Sequence, residues 1–271
     1  MKARIAALLL GLVLAGCTTT PTGRSQLMLV SPDSAVQASA EVYPKMLEKY
    51  ARAGKLDNDP AQVRRVKEIT ARLVAEAIRD YPHTRNWKWQ VVVIDEPETV
   101  NAWCMAGGKM AVYSGLLEKI RPTDDELAQV MAHEISHAVA NHVAEQMSIQ
   151  LASQLGLAVL SATALHDSRY RTAALTGAAL AASLAIELPY SRKAEAEADR
   201  IGIELAAKAG YDPRAAVTLW QKMEQVGGNG TPEFLSTHPS PGNRQQTLKA
   251  LVPQMMKYYD PQAPHPVYRG L

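Results

Sequence analysis

Charge of one sign is what this chain has least of: its 271 residues carry a formal charge of only +2. Lys2 and Arg4 supply two of those positives from a leader segment, so the remainder is near neutral. Without a basic excess, nucleic acid is not an expected partner. Aromatic residues are also scarce, at 6%. Alanine is abundant, which points to a mostly helical interior. Only two cysteines occur, Cys17 and Cys104. Apolar runs long enough for a permanent membrane span are missing too. Residues 5–15 are too short, and the conspicuously apolar residues 172–186 stop at Glu187. The latter read as a buried or membrane-surface helical hairpin. No run of transmembrane helices is visible, nor any repeat domain after Leu251. The length suits one large domain, or one domain with a helical appendage.

The leader has a purpose of its own. Met1-Lys2-Ala3-Arg4 is a short basic start, and residues 5–15 form the apolar stretch of a signal peptide. It ends in Leu14-Ala15-Gly16-Cys17, which resembles the bacterial lipobox. That resemblance implies cleavage before Cys17, diacylglycerol on its sulfur and acylation of its amine. Several acyl chains give stable anchoring where one is marginal. Thr18 stands where an aspartate usually retains such lipoproteins in the inner membrane. The expectation is an outer-membrane lipoprotein facing the periplasm of a Gram-negative bacterium. With Cys17 lipidated, Cys104 has no disulfide partner and reads as a buried, inert thiol. The expected layout is residues 1–16 signal peptide, 17–31 a Thr/Ser/Pro/Gly-rich tether, 32–252 the working domain and 253–271 a tail.

The chemistry centres on His133-Glu134-Ile135-Ser136-His137. Histidines four apart sit one turn above each other on the same helix face. Two imidazoles so placed can take two corners of a tetrahedral zinc site. Glu134 is positioned to take a proton from an attacking water without holding the metal. Thr123, with Glu126 three residues on, makes a capping box after Pro122. No Gly or Pro interrupts residues 124–147, so one unbroken helix is expected there. Leu127, Val130, Met131, Glu134 and His137 share one broad face of it. With seven histidines in the chain, such a motif arises by chance on the order of once in a hundred comparable sequences.

Residues 34–53 and 60–78 carry helical periodicity, and residues 87–94 read as a strand. Residues 101–105 and 110–113 read as a hairpin closed by Gly107-Gly108, able to offer an edge strand to an extended peptide. Helices are expected over 148–165 and 172–188, broken at 166–171. A catalytic zinc takes three protein ligands, so a third must come from later in the chain. Glu195 and Asp199, four apart after Pro189, share a helix face from which Glu197 is turned away. Glu195 is the candidate ligand, and Asp199 a candidate acceptor for an imidazole N–H. Alone, such an acidic helix usually presents a solvated face.

Four pieces, in order, resemble the M48 family of zinc endopeptidases. They are Asn101-Ala102 with Gly107-Gly108 and Tyr113-Ser114-Gly115-Leu116-Leu117; His133 to His137 followed by His142; Ser191-Arg192 with Glu195 and Asp199; and Ser236-Thr237-His238-Pro239 with Arg244. The likeness runs over roughly residues 31–251. It implies an α+β, mostly helical gluzincin fold with a small sheet or hairpin beside the active-site helix. It also implies one Zn2+ per chain held by His133, His137 and Glu195, with Glu134 as general base. The substrate would be unfolded or extended polypeptide lying by Asn101, Ala102, Gly107 and Gly108. In the envelope that means misfolded or mis-assembled proteins, with the outer-membrane assembly machinery as a candidate partner.

Arg244 or His238 would supply an oxyanion donor. His238 has two further readings: a fourth ligand that keeps the resting enzyme off, or a residue that merely leads into the helix near Pro241. His142 reads as a partner of a ligand or a surface group, and His83, His166 and His265 as loop residues. Two other functions compete: a chaperone-like assembly factor with a latent zinc site, and an inert structural lipoprotein that binds no stoichiometric zinc.

Overall fold

Proline and a short polar cap start each of the first two long helices. A computed structural model of the protein describes residues 17–164, 189–226, 232–239 and 243–271. Helix α1, Pro32–Arg52, is capped by Ser31, and α2, Pro60–Asp80, by Asp59, whose side chain accepts from Ala61 and Gln62. Proline in the first turn loses no helical hydrogen bond and presets φ. Val66, Ile69, Leu73, Val74 and Ala77 recur at three and four along α2 and are buried.

The sheet has three strands: β3, Gln90–Ile94, β4, Ala102–Met105, and β5, Lys109–Tyr113 (β1, Cys17–Thr19, and β2, Ser25–Leu27, lie nearer the N-terminus). Their order is β3-β5-β4, with β3 parallel and β4 antiparallel to the central β5. Strand β4 is therefore an edge. Ala102, Cys104, Met110 and Val112 face one core, while Trp103, Met105 and Ala111 face another against α1. Period-2 alternation thus feeds two buried layers. The first strand starts three residues later than its composition suggests. Trp87 and Trp89 pack together with ring centroids 5.2 Å apart, and the Lys88 carbonyl accepts from the Lys109 ammonium.

Gly107 and Gly108 close the hairpin between β4 and β5. Both have positive φ, +78° and +74°, and a Cβ on Gly108 would lie 2.2 Å from the Trp89 ring. At Gly107 it would meet Val36 at 2.8 Å. These glycines make the turn and admit close packing of Trp89 and Val36.

The motif helix α3, Asp124–Val139, is also shorter than expected. It ends at Ala140, and Asn141 takes a left-handed φ of +58° before α4, His142–Ala164, begins. Asparagine tolerates that region better than most residues. The freed Ala140 carbonyl accepts from the Gln26 side chain at 2.8 Å. Helix α5, Arg192–Lys208, capped by Ser191, crosses α3 so closely that a Cβ on Gly202 would lie 3.0 Å from the His133 nitrogen. Helices α6, Ala215–Val226, α7, Glu233–Thr237, and α8, Arg244–Met255, complete the described order.

Neither end is loose where it is described. Instead of an open tether, β1, Cys17–Thr19, pairs antiparallel with β2, Ser25–Leu27, and Gln26 is buried. Beyond α8 the chain packs back, with Tyr258 and Tyr268 on the core and the Tyr268 amide donating to the Ala71 carbonyl at 3.0 Å. The signal peptide, His166 and the expected hairpin over 172–186 lie outside the described residues. Among the described residues, no helix is long and apolar enough to cross a membrane.

The α3 start generates a stability prediction. Thr123 and Glu126 form the full capping box, and Glu126 also accepts from Lys222 at 2.5 Å and Thr218 at 2.7 Å. Burial raises the Glu126 carboxyl, but these hydrogen bonds outweigh it and hold the group below its ordinary value. Thr123→Ala should cost about 1 kcal/mol in denaturant unfolding. The stability gap between wild type and Glu126→Gln should be full above the unfolded carboxyl's value of about 4.3 and close as pH falls below it.

Candidate metal centre

His133 and His137 lie on consecutive turns of α3, with their Nε2 atoms 3.1 Å apart. Glu195, from the first turn of α5, places Oε2 3.3 Å from His133 Nε2 and Oε1 3.3 Å from His137 Nε2. His238, just past α7, puts Nδ1 3.3 Å from His133 Nε2 and 3.1 Å from Glu195 Oε1. These four donors lie within 4.8 Å of one another, and all four side chains are buried. Zinc bound tetrahedrally at about 2.0–2.1 Å sets its donors roughly 3.3–3.4 Å apart. The measured spacings are close to that edge. Hydrogen bonding alone does not explain the arrangement, because Glu195 Oε2 is buried with no hydrogen-bond partner. Three imidazoles and a carboxylate around that spot make a cluster able to hold a metal ion, and the donor types suit zinc.

A second ring of side chains fixes the first. Asp199 Oδ1 lies 3.0 Å from His133 Nδ1 and accepts from Arg244 at 2.6 Å. The Arg244 guanidinium stacks on Trp220 with its carbon 3.4 Å from the ring centroid. Arg244 is thus held by Asp199 and Trp220 beside His133. On the other imidazole, His137 Nδ1 is 2.9 Å from His142 Nδ1, and His142 Nε2 is 3.2 Å from Glu197 Oε2. Tyr190 stacks on His137 at 3.9 Å, and Phe234 on His238 at 4.5 Å.

Glu134 is buried beside the cluster, its Oε1 3.3 Å from His238 Nε2 and without a hydrogen bond. Burial raises its carboxyl above the ordinary value, against the pull of the nearby His238 and His133. Burial likewise pushes Glu195 up, but the charges of His238 and His133 dominate and hold it well below. His133 shows the converse: burial lowers it, while Glu195 and Asp199 push it up to about 9. Cys104 is free and buried, and burial raises its thiol.

At the strand edge, Asn101 donates to Glu233 at 3.1 Å and its side-chain oxygen accepts from the Ala102 amide at 2.9 Å. The Phe234 amide donates to the Val100 carbonyl at 3.0 Å. The short helix carrying His238 is thus tied to the strand beside the site. A cavity of about 550 Å³ opens there between Lys45, Tyr50, Trp103, Tyr113 and Glu233.

Sequence reasoning missed Tyr190, Trp220, Phe234 and the function of Glu197. For Tyr190 the one available signal is its place immediately before the ligand helix. Glu197 leaves the Glu195 face of the helix, and its partner His142 is brought to it by the break at Asn141.

Comparison with known proteins adds an independent observation. Residues 60–252 match the sequence model of Peptidase family M48. The chain is similar to the mitochondrial metalloendopeptidase OMA1 of Bos taurus, 38% identical over 244 residues, covering 87% of this chain and 46% of that protein. The Homo sapiens protein of the same name is 37% identical over 243 residues, with the same 87% and 46% coverage. The β-barrel assembly-enhancing protease of Escherichia coli strain K12 is 31% identical over 206 residues, covering 74% of this chain and 41% of that protein. The chain spans about half the length of these curated relatives.

The geometry sets expectations for metal content. Glu195→Ala should abolish stoichiometric zinc after dialysis, and Asp199→Ala should weaken it by about 10–100-fold. Because a proton must leave His133 as metal enters, apparent affinity should fall as pH drops below about 9, by about tenfold per unit for each proton released. Competition titrations at several pH values check both.

Proposed function

The chain belongs to peptidase family M48, and on that premise we propose that it is a zinc-dependent endopeptidase. The observation that carries this reading is the buried donor set of His133, His137 and Glu195 with the Glu134 carboxyl, whose Oε1 makes no hydrogen bond, beside it. When bound, zinc would polarise the scissile carbonyl and bring a water's pKa toward neutrality. Glu134, raised by burial, takes the proton from the attacking water and returns it to the leaving amine. Asp199 keeps the His133 ring oriented, and Arg244 keeps Asp199 ionised and in place. The outer edge of strand β4 is where an extended polypeptide would pair.

In this reading the resting enzyme is closed. His238 fills the fourth corner, and the Asn101–Glu233 and Phe234–Val100 hydrogen bonds fasten its helix over the strand edge. A peptide gains access when that segment lifts and His238 leaves that corner. The lipobox-like Leu14-Ala15-Gly16-Cys17 supports a lipoprotein of the outer membrane facing the periplasm. Misfolded or mis-assembled envelope proteins are the substrate class that location supplies. The name of the Escherichia coli relative is in keeping with a link to the assembly machinery.

The filled fourth corner also favours a second reading, a chaperone-like assembly factor whose zinc site stays latent. Casein digestion by purified residues 18–271 separates them. The protease reading expects chelator-sensitive cleavage, and a loss of roughly 10²–10⁴-fold in Glu134→Gln with metal retained. Function undiminished by Glu134→Gln would favour the assembly factor. His238→Ala should cleave faster than wild type; a rate no higher would remove the closed-state role.

A further inference from the structure

Each histidine of the motif is braced through its Nδ1, and each brace ends in an arginine. For His133 the brace is Asp199 and then Arg244. For His137 it is longer: His142, then Glu197, then Arg24. Arg24 lies outside residues 60–252, the stretch that matches the family. It comes from the turn and strand that follow Cys17.

Resting on the zinc reading above, we propose that Arg24, with Thr22, is a positioning residue for the metal centre that orients His137 through Glu197 and His142. A neutral imidazole has one N–H and one lone pair. If His137 turns its Nε2 lone pair to a metal, its proton sits on Nδ1 and donates to His142 Nδ1 over 2.9 Å. The His142 proton is then on Nε2, donating over 3.2 Å to Glu197 Oε2. The relay has one direction only, and an acceptor must close it. Glu197 is that acceptor because Arg24 Nε donates to Oε2 at 2.7 Å and the Thr22 hydroxyl to Oε1 at 2.5 Å.

Arg24 is itself held on two sides. Its two terminal nitrogens grip Glu145 at 2.7 and 2.5 Å, so one guanidinium joins the first turn of α4 to α5. Gln26 adds a bond to Glu145 at 3.0 Å and caps the Ala140 carbonyl where α3 breaks. That break turns His142 back towards His137. Without Arg24, two carboxylates lose their shared cation, and Glu197 loses the bond that fixes the oxygen facing His142. The segment next to the expected lipid anchor is thereby wired to a metal ligand.

The test compares wild type with Arg24→Gln, Arg24→Lys and Thr22→Val in residues 18–271. It reads zinc affinity against a chromophoric chelator, the visible absorption of the cobalt(II)-loaded protein and the melting temperature of the metal-free protein. Arg24→Gln should weaken zinc about 10–100-fold and alter the cobalt bands. Adding Glu197→Gln to it should cost little more, because the two act in one chain. Arg24→Lys should recover part of the loss, and Thr22→Val should show a smaller one. If the metal-free protein melts lower but affinity and cobalt spectrum match wild type, Arg24 only fastens the hairpin and the inference is overturned. Should Arg24→Gln fail to fold, an unchanged Thr22→Val spectrum overturns it equally. A wild type that binds no stoichiometric metal defeats the zinc reading itself, a different failure.

Discussion

Donor atoms packed 3.1 to 3.3 Å from their neighbours in a buried cluster are the constraint around which this protein is built. Glu195 and Glu134 are both buried there, each with an oxygen lacking a hydrogen bond. Burying carboxylates without compensation is costly. A cation among the donors offsets that cost, and two arginines, one behind each motif histidine, balance the outer carboxylates. The central packing follows from the same need. Helices α3 and α5 must approach closely enough for Glu195 to reach both imidazoles, and Gly202 makes room for the His133 backbone.

The rest of the fold positions those two helices. Thr123 and Ser191 start them with side-chain caps, so each begins at a defined residue. Both faces of the small sheet are covered, which fixes the hairpin whose edge strand runs beside the motif helix. The segment carrying His238 is fastened to that edge through Val100 and Asn101. In the proposed reading, one short helix therefore governs both access by a peptide and occupancy of the fourth corner. The N-terminal hairpin ties the end of α3 and the start of α4 to α5.

Much of the site was legible because helical spacing is a local rule. The four-residue interval of His133 and His137, the capping box and the Glu195–Asp199 interval all survive in the structure, and the mostly helical α+β class follows from them. What escaped depends on contacts distant in sequence. The end of α3 carries no Gly or Pro; Asn141 turns left-handed where a side chain from Gln26 takes the freed carbonyl. The wheel of α5 shows that Glu197 leaves the Glu195 face but cannot show what waits on the other side. Residues 17–31 have the composition of a tether, yet Thr22, Arg24 and Gln26 find partners on α4 and α5. Gly107 and Gly108 were legible as a turn, but the Trp89 ring that packs against Gly108 was not.

The most direct measurement is X-ray absorption at the zinc edge of the purified, metal-loaded chain. The account predicts one zinc per chain in a four-coordinate shell of nitrogen and oxygen at about 2.0–2.1 Å, with scattering from three imidazoles and none from sulfur. A spectrum requiring sulfur, or one fitted by water oxygens with no ordered imidazole, would contradict it.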